Sequence, residues 1–357
     1  MDNMRINKVD YTYAKLKNLY GFEAEKTSIF HAASTKKIPE PNIKKTKDGR
    51  TRAKYWTVKE LPEIGKVYGF LTQPKKRNII CVYTPKGGVL KTTFTHNFSR
   101  VLALHGIKTL IVGLDVQCNV TGLTLGQTLK ARINDIKQLD TLDKKKGIMH
   151  VINSKKTGSD PLDAIRQTDI PTLDIIEETH ELAQLSKSMV VTIKSENLFK
   201  KNLIDCLDYA MEQKGIQKYD VIIFDNGPSW TPITESSLYA SNVIISPVGC
   251  DVESYRSLNT NLDIINQFKE NAEISWWDQF ILIPTLYERT NISKQILKTY
   301  RKSDVGDQVT DYQISVASAG QKAAIDNLSV IEHAPKDTLA NEYRDVIEEV
   351  WNERINQ

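Results

Sequence analysis

Ten residues concentrate the chemistry of this chain: Thr84-Pro85-Lys86-Gly87-Gly88-Val89-Leu90-Lys91-Thr92-Thr93. Two glycines between two lysines let backbone N–H groups converge on an anion. A helix starting at Thr92 adds the positive end of its dipole there. Lys91 is placed to reach β- and γ-phosphates, and the Thr92 hydroxyl to ligate Mg²⁺. Gly87, Gly88, Val89, Leu90 and Thr93 complete the cradle. Two aspartates end apolar runs further on. Asp115 follows Thr109–Leu114 (TLIVGL), and Asp225 ends Tyr219–Asp225 (YDVIIFD). An acidic strand end can hold Mg²⁺ directly or through its water, the reading given to Asp225. The chemistry these residues suit is nucleotide binding and phosphoryl transfer.

Elements of regular structure must position them. Asn78–Tyr83 (NIICVY) reads as a buried strand and Thr92–His105 as a helix. From Asn78 onward strand and helix patterns alternate, which argues an α/β fold with a mainly parallel sheet flanked by helices. Ligands of such sheets gather at the carboxyl ends of the strands, so Asp115 points at the same crevice as the loop. Further strands are expected at Pro171–Ile176, Asn242–Val248 and Phe280–Pro284, the second followed by Asp251-Val252-Glu253. Helices are expected at Glu181–Met189, Glu196–Lys214 and Thr338–Ile355. Residues 125–170 are polar and predict one or two short helices in a surface excursion.

The 357 residues are ample for a sizeable core and suggest two domains. No apolar run approaches a membrane span, and the N-terminus lacks the apolar core of a signal peptide. Four scattered cysteines, Cys81, Cys118, Cys206 and Cys250, fit neither a disulfide framework nor zinc spacing; a reducing cytoplasm is expected. The net charge is +4, yet residues 1–77 hold 18 Lys/Arg against 8 Asp/Glu, a balance of +10, leaving −6 for the rest. A basic arm on a mildly acidic body points to a polyanion, nucleic acid foremost.

The arm has its own organisation. Helices are expected at Val9–Leu19 and Lys26–Ala33, then a helix-stopping Pro39-Glu40-Pro41. A basic hairpin follows, turning at Asp48-Gly49. Thr57 and Glu60 form a capping box for a last helix with Leu61, Ile64, Val67 and Tyr68 on one face. Helix, turn, helix, hairpin, helix is the order of a winged helix-turn-helix. In that reading residues 1–71 bind DNA and 72–77 are a linker to an ATPase domain at 78–357. The hairpin sets Lys44, Lys45, Lys47, Arg50, Arg52 and Lys54 against phosphates.

The K-G-G-x-x-K-T pattern of Lys86–Thr92 resembles the deviant Walker A loop of the ParA/MinD family of P-loop ATPases. Asp115-Val116-Gln117-Cys118-Asn119 resembles that family's D-P-Q-G-N, and Asn226-Gly227-Pro228-Ser229 its T-P-P-S. Where the family often has an acid two residues before the first aspartate, this chain has Gly113. The likeness covers Asn78–Asn291, and the N-terminal extension resembles, by order and charge, that of large plasmid ParA proteins.

The resemblance implies ATP or ADP and Mg²⁺ bound between the subunits of a homodimer. It implies that Lys86 reaches the partner's nucleotide and that Asp115 orients the attacking water. Leu286–Asn291 matches the segment near the adenine, giving Arg289 a nucleotide or interface role. Basic residues of the late region, Lys298, Arg301, Lys302 and Lys322, would hold DNA non-specifically. A slow, ParB-like partner-stimulated ATPase of DNA partition follows, located on the nucleoid and regulating its own operator. The expected C-terminal helix carries Glu342, Asp345, Glu348, Glu349 and Glu353, unlike the basic membrane anchor of MinD-type relatives. Two other readings stand beside it: a DNA-binding regulator whose site only senses nucleotide, and an iron protein like that of nitrogenase, which would need bridging cysteines.

Overall fold

The computed structural model describes residues 9–45, 48, 50–117, 119–125, 146–179, 181–190 and 197–357. Its strands are β1 (Asn42–Lys45), β2 (Thr51–Tyr55), β3 (Asn78–Val82), β4 (Thr109–Leu114), β5 (Ile165–Gln167), β6 (Leu173–Ile176), β7 (Val221–Asn226), β8 (Val243–Gly249) and β9 (Gln279–Thr285). The last seven form one sheet in the order β5-β6-β4-β7-β3-β8-β9, parallel except at the β5 edge. This is the flanked, mainly parallel α/β sheet that the alternating pattern predicts.

The strands are apolar without alternation because both sheet faces are covered. Val221 and Ile223 of β7 join one apolar cluster, while Ile222 and Phe224 join another on the opposite side. The helix Lys91–Leu104 lies on the first face and is buried almost all round. Its Arg100 is fully buried and paired on both sides: Nη1 donates to Asp169 at 2.8 Å, and Nε donates to Glu332 at 2.7 Å.

The N-terminal order is as read from the sequence: helices Tyr13–Tyr20 and Lys26–Ser34, the antiparallel β1–β2 hairpin, and the helix Leu61–Tyr68. The first helix starts later than its apolar spacing suggests, because Tyr11 pairs its backbone with Trp56 in an extended bridge. The Thr57–Glu60 capping box does not form as such. Glu60 accepts from Thr57 N at 2.5 Å, but the Thr57 hydroxyl donates to that same carboxylate instead of capping Glu60 N–H. The box with both bonds is at Ser329 and Glu332.

These N-terminal elements share an apolar cluster with the sheet and the C-terminal helices. Tyr20 Oη donates to Leu61 O at 2.7 Å and to Leu104 O at 3.0 Å. Residues of the expected linker are held by the far end of the chain. Trp351 Nε1 donates to Thr72 O, Asn352 Oδ1 accepts from Thr72 N, and Asn356 Oδ1 accepts from Lys75 N, at 2.7–2.9 Å.

Of the polar excursion, residues 126–145 lie outside the described residues. The rest holds the helix Ile148–Thr157, one of the short helices expected there, and strand β5, which was not expected. The expected helix at 196–214 begins as a π-turn segment, Phe199–Ile204, before the α-helix Asp205–Gln213. The C-terminal helix likewise runs as α over Thr338–Glu348 and as π over Glu349–Ile355. Its acids are not all on the surface. Glu349 is buried, accepting from Asp311 N at 2.9 Å and Arg354 Nη2 at 2.6 Å, and Glu342 accepts from Ser315 N at 2.8 Å. Among the described residues no helix is long and apolar enough to cross a membrane.

Candidate active site

The loop between β3 and the helix Lys91–Leu104 turns through two left-handed residues. Gly88 has φ 78°, and Leu90 has φ 65°. The second is the position where the commoner loop carries glycine. A leucine pays for that conformation, on the order of 1–2 kcal/mol, and its half-buried side chain packs against the core in return.

The two lysines of the loop face different partners. Lys91 is 7 % exposed, and its Nζ donates to Lys86 O at 2.6 Å, under the curl of the loop. Burial lowers its pKa, while the charges of Asp225 and Asp115 act to raise it. Lys86 turns instead to the start of the helix Val252–Asn271. Its Nζ donates to Asp251 Oδ1 and to Ser254 Oγ, both at 2.9 Å, with Glu253 at 3.6 Å. Asp251 also caps that helix, accepting from Ser254 N at 2.9 Å. Burial raises the Asp251 carboxyl, but the Ser254 and Lys86 bonds outweigh it and bring it to about 2.

Asp225, the last residue but one of β7, has its backbone between Val82 of β3 and Gly113 of β4. It is fully buried, and its two oxygens accept from Thr92 Oγ1 at 2.9 Å and Thr95 Oγ1 at 2.8 Å. Burial raises its carboxyl to about 6, against the two threonine bonds; Asp115 adds to the rise and Lys91 opposes it. Among the described residues it has no ion pair. A buried anionic oxygen beside a threonine hydroxyl is the hard donor set that Mg²⁺ prefers, so the residues fit that ion.

Asp115 follows β4, 9 % exposed, with Oδ1 accepting from Gln117 N at 3.0 Å. Gly227 lies against it: a Cβ there would stand 3.3 Å from Asp115 Oδ1. The preceding Asn226 ties strand ends together, its Nδ2 reaching Cys81 Sγ at 3.2 Å and its Oδ1 accepting from Ser237 at 3.0 Å. Asn226-Gly227 therefore has a packing reason where the motif usually has Thr-Pro.

Lys86, Lys91, Thr92, Asp115 and Asp225 thus gather at the carboxyl ends of β3, β4 and β7. Arg289 is exposed in the turn after β9. On the helix Asn291–Lys302, Lys298 and Lys302 are exposed and line a cavity of about 330 Å³ with Lys294 and Arg301. Arg301 is also engaged internally, with Nη2 donating to Gln313 Oε1 at 3.2 Å and to Asp311 O. Lys322 is exposed on a separate helix, Ser318–Asp326. In the hairpin Lys45, Arg50 and Arg52 are exposed, and Lys47 lies outside the described residues. Lys44 pairs with Asp10, and Lys54 Nζ lies 4.7 Å over the Phe30 ring. No cluster of metal-binding type is formed by His, Cys, Asp and Glu among the described residues. Cys250 is buried and Cys118 lies outside them, so nothing described supports a bridged iron cluster.

Sequence reasoning missed the Lys86 partners Asp251 and Ser254, and Thr95 on the far side of Asp225. Thr95 falls one helical turn after Thr92, so the same helix face presents both hydroxyls.

The comparisons agree with this geometry. An AAA domain family profile matches residues 77–276, just over half of the chain. Over 276 residues the chain is 27 % identical to the sporulation initiation inhibitor protein Soj of Bacillus subtilis (strain 168), spanning 76 % of this chain and 97 % of that one. In three dimensions it resembles a putative plasmid partition protein of Borrelia burgdorferi B31 bound to AMPPNP. The TM-score is 0.58 at 22 % identity, over 79 % of this chain and all of that one. The structure of a partition protein gives a TM-score of 0.62 at 15 % identity over 96 % of this chain and 91 % of that one, so the likeness in fold reaches the N-terminal elements. With the profile starting at β3 and the two-lysine loop in place beneath it, the chain belongs to the AAA domain family, in its ParA/MinD group of P-loop ATPases.

Proposed function

We propose that this chain is a DNA-partition ATPase of a plasmid or phage-plasmid that hydrolyses ATP slowly as a nucleotide-sandwich homodimer. The observation that carries the reading is the convergence of Lys86, Lys91, Asp115 and Asp225 on one crevice. Lys91 and the loop N–H groups bind the β- and γ-phosphates. Thr92 and Asp225 hold Mg²⁺, which supplies neutralisation of the phosphate charge when bound. Asp115, at the carboxyl end of β4, orients the attacking water. Lys86 leaves Asp251 and neutralises charge on the nucleotide of the second subunit. Such chemistry is mostly positioning and charge, so a short set of residues suffices.

The names of the relatives, with their partition role, support DNA as the cargo. In this reading the exposed Lys298, Lys302 and Lys322, with Arg301 and the adjoining Lys294, hold DNA non-specifically once the dimer forms, and Arg289 borders the nucleotide or the interface. Residues 1–71 act as a winged helix-turn-helix on the operator, using Lys45, Lys47, Arg50 and Arg52 foremost. Lys44 and Lys54 reach phosphate only by leaving Asp10 and Phe30. A ParB-like protein stimulates turnover, and the protein resides on the nucleoid in the cytoplasm.

Light scattering after size exclusion, with ADP and with ATP–Mg²⁺, tests the switch on wild type and Lys86→Ala. An ATP-dependent dimer that Lys86→Ala loses supports the reading. A mass indifferent to nucleotide, with no hydrolysis in the presence of DNA, would transfer the weight to a nucleotide-sensing DNA-binding regulator.

A further inference from the structure

The carboxyl end of β6 brings a third acid to the same crevice. Glu178 is 4 % exposed. Its carboxylate accepts from Val120 N at 3.3 Å, from Thr121 N at 3.1 Å, and from the Thr121 hydroxyl. Its own N–H donates to Thr121 Oγ1 at 3.2 Å. Glu178 therefore serves, from another segment, the orphan N–H groups that open the short helix Asn119–Thr124. Both Val120 and Thr121 are buried, so without that carboxylate those N–H groups lose their partner with little water to replace it.

The space Glu178 fills exists because residue 113 is glycine. A Cβ on Gly113 would stand 2.4 Å from Glu178 Cδ and 2.7 Å from Oε2. Gly113 is the register partner of Asp225, and Asp115 lies two residues further along. One buried carboxylate is thus wedged between the strand that flanks the Mg²⁺-type aspartate and the turn that follows the water-orienting one. Burial, with a smaller push from Asp225, takes its carboxyl up to about 7 against the Thr121 bonds, so keeping it here is costly unless the contacts matter.

We propose that Glu178, seated over Gly113, is a positioning residue for hydrolysis: it fixes the turn from Asp115 to Thr121 and with it the direction of the Asp115 carboxylate. This rests on the ATPase reading above. In this role Glu178 acts through the turn. Gly113 and Glu178 form one unit, in which the missing side chain of the first makes room for the second.

The test uses the full chain with ATP, Mg²⁺ and duplex DNA, measuring kcat and KM for hydrolysis and, separately, the affinity for a fluorescent ATP analogue. Glu178→Ala should lower kcat by about tenfold or more while KM and analogue affinity stay within about twofold. Glu178→Gln keeps an acceptor for the Thr121 N–H and should recover most of kcat. Gly113→Ala must displace the Glu178 carboxylate and should reproduce the Glu178→Ala loss. The double variant Gly113→Ala/Glu178→Ala should then be no slower than Glu178→Ala alone.

If Glu178→Ala fails to fold, Gly113→Ala and Glu178→Gln still carry the comparison. An active wild type with kcat unchanged in Glu178→Ala, or with the two single losses multiplying in the double variant, overturns the positioning role alone. Losses of kcat, analogue affinity and melting temperature together would make Glu178 merely structural, which also overturns it. A wild type that hydrolyses no ATP at all overturns the ATPase reading, and this proposal with it.

Discussion

Lys86 Nζ and Asp251 Oδ1 are 2.9 Å apart within one chain, on a loop and a helix start that the sequence separates by 165 residues. A lysine that must reach a second subunit has to leave this contact. Asp251→Asn keeps a good helix cap but removes the charge that holds Lys86. It should strengthen the ATP-dependent dimer several-fold, read as a lower dissociation constant by analytical ultracentrifugation. A weaker dimer would mean that Asp251 works in the dimer and not against it.

Lys91 and Asp115 should separate binding from chemistry. Lys91→Ala is expected to abolish nucleotide binding by equilibrium titration. Asp115→Ala should keep binding and dimerisation and lower turnover by about 10²–10³, the range for loss of one oriented polar group at a reacting centre. Hydrolysis at the wild-type rate in Asp115→Ala would remove the role given to it.

Leu90 holds a left-handed backbone at φ 65°. Leu90→Gly relieves roughly 1–2 kcal/mol of that strain and loses the packing of a half-buried side chain, so its melting temperature should barely move. Leu90→Val keeps the strain and adds a branched Cβ to it, and should melt clearly lower. Thermal denaturation of the two variants decides between backbone strain and side-chain packing at this position.

His105 should set an acid limit on stability. Its Nδ1 pairs with Val101 O at 2.7 Å, and its Nε2 accepts from Phe70 N at 3.1 Å, so the neutral ring is satisfied on both sides. Burial first, then the charge of Arg344, lowers its pKa to about 4, against the Val101 bond. The unfolded chain takes up this proton near pH 6.5, before the folded one does. The stability it contributes is therefore complete above about pH 6.5 and is lost as pH falls towards 4, a change on the order of 3 kcal/mol. Denaturant titrations at pH 7.5 and pH 5 should show the drop, and His105→Gln should reduce it, the remainder coming from His96, which burial takes down to about 3.

The lysines of the helix Asn291–Lys302 should bind DNA through charge alone. Replacing Lys294, Lys298 and Lys302 with alanine should lower affinity equally for unrelated duplexes. It should also reduce the slope of log affinity against log salt by about 0.9 for each phosphate that is no longer neutralised. An unchanged slope would place the DNA elsewhere.

What the sequence reveals follows from where its information lies. Asn78–Val82, Lys91–Leu104 and Val221–Asn226 are continuous apolar or apolar-striped runs, and their roles are written locally. Lys91, Thr92 and Asp225 come together because all three sit at strand ends or the helix start beside them. Glu178 was as legible by the same rule, being next to the carboxyl end of β6, but its role depends on the absence of a side chain at Gly113, which only packing exposes. The Thr57–Glu60 pair has the spacing of a capping box; a turn at 58–60 delays the helix to Leu61, so the same two residues make a different bond. Strand β5 is three residues long and borrows its stability from β6, which leaves no periodicity to read.

The clamp of Trp351, Asn352 and Asn356 on Thr72 and Lys75 also has a meaning for biogenesis. The Thr72–Asn352 bonds join residues 280 positions apart. On the ribosome, the segment after the N-terminal helices emerges long before its anchors are made. That segment is expected to wait unclamped, with its basic hairpin already out, until the final turns of the chain follow it. The clamp on Thr72 and Lys75 is thus among the last contacts to form in synthesis, and a chain that stalls before residue 351 would hold its arm only by the earlier contacts, such as Tyr20 with Leu104 and Phe70 with His105.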